Sequence, residues 1–140
     1  MTLVSTEWLN SKLSKVKIFD ASWHMPNSNR NGHKEYLEKH IPEAMFWNLD
    51  EHSDKDSPFP HMLPNSDYWT RMLWSFGIEN DDHIVVYDFS DVHSACRLFF
   101  SLKYFGHQKV SVLDGGMKKW LKENRPTSNE INKDIGKFSY

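Results

Sequence analysis

The run Ile84-Val85-Val86-Tyr87 constrains this chain more than any other feature. Four consecutive apolar residues between polar neighbours read as a strand buried on both faces, as in the middle of a parallel sheet. Such a strand needs helices above and below it, which the rest of the chain must supply. The run ends in Asp88, passes through a polar loop, and reaches Ser94-Ala95-Cys96-Arg97, which reads as the first turn of a helix. In α/β domains that junction faces a helix N-terminus with free N–H groups, where active sites commonly lie.

The flanking sequence supplies the helices. Ser5 can cap a helix that places Trp8, Leu9 and Leu13 on one face. Val16-Lys17-Ile18-Phe19-Asp20 reads as a strand, and residues 21–32, with Pro26, Gly32 and several asparagines, as a loop. Residues 33–40 favour a short helix with Tyr36 and Leu37 inward, stopped by Pro42. Residues 44–49 read as an apolar strand. Residues 50–64 form a long polar loop containing Pro58, Pro60 and Pro64, of a length usually tied to function or disorder. A helix over 65–76 turns Tyr68, Trp69, Met72, Leu73 and Phe76 inward and stops at Gly77. Another over 94–105 turns in Leu98, Phe99, Leu102 and Phe105 and stops at Gly106. Val110-Ser111-Val112-Leu113 is a strand, Asp114-Gly115-Gly116 a turn, and 117–124 an amphipathic helix with Trp120 and Leu121. The alternation, beginning with a helix, predicts an α/β fold: a central parallel sheet with helices on both faces. The domain is expected over 1–126, with 127–140 a polar tail or linker.

Composition narrows the function. With 140 residues and a formal net charge of −2, the chain suits one domain with its own core and lacks the basic surface that nucleic-acid binding needs. The eight histidines are scattered without metal-type spacing, so neither a metal nor a cofactor is expected. A single cysteine excludes an internal disulfide and suits a reducing compartment. The first residues have neither a basic nor an apolar signal region, and no apolar run has membrane-spanning length. The expectation is a cytoplasmic domain without membrane or nucleic-acid partners.

Several stretches carry a resemblance: Phe19-Asp20-Ala21-Ser22-Trp23, Glu35-Tyr36-Leu37-Glu38-Lys39-His40-Ile41-Pro42-Glu43-Ala44, Ser57-Pro58-Phe59-Pro60-His61-Met62-Leu63-Pro64, Val85-Val86-Tyr87-Asp88, and Phe105-Gly106-His107 with Val112-Leu113-Asp114-Gly115-Gly116-Met117. Taken in order, they resemble the rhodanese-like sulfurtransferases, in particular the N-terminal half of the two-domain thiosulfate and 3-mercaptopyruvate enzymes. The resemblance implies the three-layer rhodanese fold. It also implies a chemistry in which a strand-end cysteine takes sulfane sulfur as a persulfide and passes it to cyanide or a thiol. In two-domain enzymes that cysteine loop and the substrate-binding arginines belong to the C-terminal half, which is then this chain's expected partner, with a small sulfur donor as substrate.

Asp88 stands where the nucleophile would be, and a carboxylate can neither hold sulfane sulfur nor welcome an anion into the same N–H cradle. The resemblance therefore makes this half catalytically silent by itself. It also assigns Asp50 and His61 to a proton relay that reaches the other half's active site, the carboxylate fixing the imidazole tautomer. Without the resemblance, Asp50 reads as a turn residue and His61 as a loop side chain. Arg97 either binds an anion at the helix start or pairs with Asp20, Asp88 or Asp114. Cys96 reads as a small buried hydrophobe. The alternatives to a silent half are a stand-alone binding or regulatory module of the same fold, and an enzyme that uses Cys96 as nucleophile.

Overall fold

A computed structural model describes residues 2–54, 62–90 and 93–130. The elements in chain order are β1 (Leu3–Val4), α1 (Thr6–Asn10), β2 (Lys17–Asp20), α2 (Gly32–Glu38), β3 (Ala44–Phe46), α3 (Ser66–Ser75), β4 (Ile84–Tyr87), α4 (Ala95–Tyr104), β5 (Val110–Leu113) and α5 (Gly116–Lys122). All strand pairs are parallel, in the order β1-β5-β4-β2-β3. The run that opened the sequence analysis is the central strand, and all four of its residues are buried.

Short polar side chains at the cap position start α1, α2 and α3. Ser5 accepts the Trp8 N–H, Asn31 the Lys34 N–H and Asn65 the Tyr68 N–H, each satisfying a donor that the first turn leaves free. Gly77 follows α3 with φ 75°, a left-handed conformation that costs glycine little.

The sheet separates two packed layers. On one face Phe19, Met45, Ile84, Val86 and Val110 meet Trp69 and Met72 of α3, Phe76 just after it, and Leu98 and Leu102 of α4. On the other, Ile18, Ala44, Val85, Tyr87 and Leu113 meet Leu9 of α1, Tyr36 of α2 and Met117 and Trp120 of α5. This is the expected three-layer α/β architecture, and the strand period of two sends alternate residues into each layer.

Some local expectations need correction. The chain opens with a strand, not a helix: Leu3 and Val4 extend the sheet along β5. Helix α1 ends at Asn10, so Leu13 lies in the turn beyond it. Leu37 and Tyr68 were expected inward, but both are exposed, because they border an open groove beside the edge strand β3. Cys96 was expected in the core and is instead exposed, on the outer side of the α4 start.

After α5 the chain crosses back to the end of α2. Ser128 and His40 exchange backbone hydrogen bonds of 2.9 and 2.8 Å in an antiparallel bridge. The fully buried His40 ring stacks on Tyr36 and lies 2.7 Å from the Tyr36 carbonyl oxygen and 2.8 Å from that of Glu130.

Candidate functional site

Strands β2, β3 and β4 run in parallel, so the loops that follow them leave the sheet together at its C-terminal edge. Asp88 is the first residue past β4. Its Oδ2 accepts the Ala95 N–H at the start of α4 at 2.8 Å, and its Oδ1 reaches the Ser90 N–H at a long 3.5 Å. Its main-chain oxygen accepts the Met117 N–H at 3.0 Å. Gly116 makes that approach possible, since a Cβ there would sit 2.8 Å from the Asp88 oxygen.

The next residue is held on both sides. The Phe89 N–H donates to Ser22 Oγ at 2.8 Å, and the Phe89 oxygen accepts from Arg30 Nη2 at 3.0 Å. Arg30 is clamped by Glu35 through bonds of 2.9 and 3.1 Å, and Glu35 also meets His24 at 2.8 Å. Partial burial works against the Glu35 charge, but the bonds from Arg30 and His24 outweigh it and hold the carboxyl below its ordinary range. Ser22 passes the load to Asp20, whose Oδ1 accepts both the Ser22 N–H (2.9 Å) and the Ser22 hydroxyl (2.5 Å). Asp20 is buried at the end of β2 opposite Tyr87. Burial, with Asp88 adding repulsion and the Ser22 bonds opposing it, pushes its carboxyl up to about 7.

A cavity of about 840 Å³ opens above this loop, lined by Asp88, Ser90, His93, Cys96, Asp114 and Lys118 among others. Arg97 is half-buried, is not among the described residues lining that cavity, and has its guanidinium pKa lowered by burial.

The loop after β3 presents a different carboxylate. Asp50 is exposed, and its two oxygens lie 3.2 and 3.1 Å from the indole nitrogen of Trp23, in the loop after β2. The turn around it is closed by Glu51 N–H to Asn48 Oδ1 at 3.1 Å and His52 N–H to the Asn48 oxygen at 3.0 Å. Trp23, Asn48 and Asp50 share the wall of a further cavity of about 340 Å³. His61 lies outside the described residues, as does the start of the motif that carries it; Asp54 N–H donates to the Met62 oxygen at 2.7 Å.

Comparison with known proteins places this geometry. The rhodanese-like domain profile matches residues 5–123. The chain belongs to the rhodanese-like family. Mouse 3-mercaptopyruvate sulfurtransferase is 40% identical to it over 135 residues, covering 91% of this chain and 46% of that protein. Bovine thiosulfate sulfurtransferase is 44% identical over 136 residues, with the same coverages of 91% and 46%. Among solved structures, the 3-mercaptopyruvate sulfotransferase SseA of Escherichia coli superposes with a TM-score of 0.86 at 34% identity, over 94% of this chain and 52% of that one. This rhodanese-like domain thus spans about half the length of its curated relatives and is similar to one half of sulfurtransferases.

Sequence reading found the residues at the ends of β3 and β4 but not their partners. The Trp23–Asp50 contact joins positions 27 apart, and the Ser22–Phe89 contact positions 67 apart. The available signal was placement: both Ser22 and Trp23 follow the end of a strand that neighbours β3 and β4.

Proposed function

We propose that this domain is the N-terminal, non-catalytic half of a two-domain sulfurtransferase that moves sulfane sulfur from 3-mercaptopyruvate or thiosulfate to a thiol or cyanide. The observation that carries this reading is Asp88. The residue at the end of β4 is a carboxylate, and one of its oxygens takes the Ala95 N–H at the helix start. An anionic persulfide needs both a sulfur atom at that position and the N–H groups around it. Here a carboxylate stands in place of the sulfur and already takes one of those N–H groups, that of Ala95, and a carboxylate opposes an anionic donor.

In this reading the nucleophile and substrate arginines come from a C-terminal rhodanese domain that follows residue 126, with 127–140 as the connection. Asp50 and His61 reach across and help move a proton at the partner's active site, which favours mercaptopyruvate as donor. The reading also places the protein in the cytoplasm; imaging a fluorescent fusion of the complete gene product tests that part.

One observation favours a second reading: Cys96 is exposed and lines the cavity above Asp88. A single assay separates the two. Residues 1–140 are mixed with mercaptopyruvate or thiosulfate and a thiol acceptor, and product is measured for the wild type and for Cys96→Ser. No turnover in either is the expected result. Turnover abolished by Cys96→Ser supports the second reading, and turnover that survives it overturns the silent-half assignment.

A further inference from the structure

We infer that Trp23 is a positioning residue for Asp50: its indole N–H, donated to both carboxylate oxygens, sets the plane in which that carboxylate works. The inference rests on the proposed role of Asp50 in sulfur transfer and adds a residue to it.

Asp50 lies on a turn and is exposed. A carboxylate in that setting rotates easily, because the torsion at its sp³–sp² bond is soft. The Asn48 bonds to Glu51 and His52 hold the turn. Trp23 reaches the carboxylate itself, with its Nε1 at 3.2 Å from one oxygen and 3.1 Å from the other.

The donor is itself held in place. Trp23 is half-buried and packs against the core layer that contains Phe19, Trp47 and Trp69. A ring in the loop after β2 thus meets a carboxylate in the loop after β3, two strands that pair in register from Ile18–Ala44 to Asp20–Phe46.

The chemistry of the donor suits the task. An indole offers one N–H and no acceptor, and it exchanges no proton in the working range of an enzyme. It can orient Asp50 without competing for the proton that Asp50 and its imidazole partner would handle. Holding a proton-transfer group in the productive geometry contributes to turnover and not to substrate binding. Trp23 therefore acts through Asp50 and touches no reacting atom in this scheme.

The test uses the complete gene product and mercaptopyruvate turnover, with Trp23→Phe, Asp50→Ala and the double variant. Trp23→Phe is expected to lower kcat about tenfold with KM unchanged, as loss of orientation does. Asp50→Ala is expected to lower it further, and adding Trp23→Phe to Asp50→Ala is expected to change nothing. A wild-type kcat in Trp23→Phe alongside a depressed kcat in Asp50→Ala overturns the inference and leaves the proposed function standing. A wild-type kcat in Asp50→Ala removes the proposed role of Asp50, and the inference with it. Equal losses from Trp23→Phe in both backgrounds show an unrelated structural effect and also overturn it. A separate measurement leaves the tryptophan in place. With 5-fluorotryptophan incorporated, the Trp23 fluorine signal is expected to move in Asp50→Ala, and an unmoved signal refutes the contact.

Discussion

Asp88 and Asp50 each follow a strand of the same sheet, yet they are used in opposite ways. Asp88 is half-buried and accepts the first N–H of α4, while its own main chain is bonded to α5. Asp50 is exposed and meets a side chain, not a helix end. The first carboxylate is taken up in tying the loop to the start of α4. The second faces solvent and is met by the indole N–H of Trp23. In the proposed reading, one strand end is retired from chemistry while its neighbour serves another site.

The largest effect that sharpens the contrast comes from Asp20, beneath the closed end. In the folded domain it keeps its proton to about pH 7, against an ordinary value of 3.8. Between those values the folded state holds a proton that the unfolded chain has released, so stability falls as pH rises through the window and levels off above it. Denaturant titrations at successive pH values are expected to show wild type losing on the order of 4 kcal/mol relative to Asp20→Asn from acid to neutral pH. Parallel pH curves for the two proteins would show that Asp20 is not held protonated.

Next in size is the open end. In the complete gene product, Asp50→Ala is expected to lower mercaptopyruvate turnover about a hundredfold, the usual scale for losing a proton-transfer helper. Melting should change by less than about 0.5 kcal/mol, since the side chain is exposed. A stable but fully active variant would leave Asp50 as a turn residue only.

Two smaller effects test the closed end. Gly116→Ala brings a Cβ to 2.8 Å from the Asp88 oxygen at a φ of 60°. It is expected to cost about 2 kcal/mol by chemical denaturation. Asp88→Ala removes the acceptor of the Ala95 N–H, and about 1 kcal/mol is expected, the scale of a lost helix cap. If Asp50→Ala destabilised the fold more than Asp88→Ala, the contrast between the two carboxylates would be reversed.

The features that sequence made visible were those written in a local period. The apolar run of β4, the capped starts of α1 and α3 and the glycine stop after α3 all follow from short-range chemistry. The sheet and its two helical layers follow from their alternation. Strand β1 escaped because two residues carry no period, and only the free edge of β5 makes Leu3 and Val4 a strand.

Cys96 was misplaced because α4 is apolar around much of its circumference. Leu98 and Leu102 face inward, but Phe100 and Tyr104, which share a side with Cys96, are 55% and 64% exposed. The pattern alone does not say which side turns to the core. The strand-end aspartates could be located by position and resemblance. Their partners could not, because Trp23 and Gly116 reach them, and Ser22 reaches the neighbouring Phe89, only after distant strands have been laid side by side.

The bridge between Ser128 and His40 also has an architectural meaning. The polypeptide does not drift away from the end of α5; it is moored, through a buried imidazole and a pair of main-chain bonds, just past the end of helix α2. Any module joined downstream therefore departs from a berth at Glu130 that is pinned by a residue ninety positions earlier in the chain.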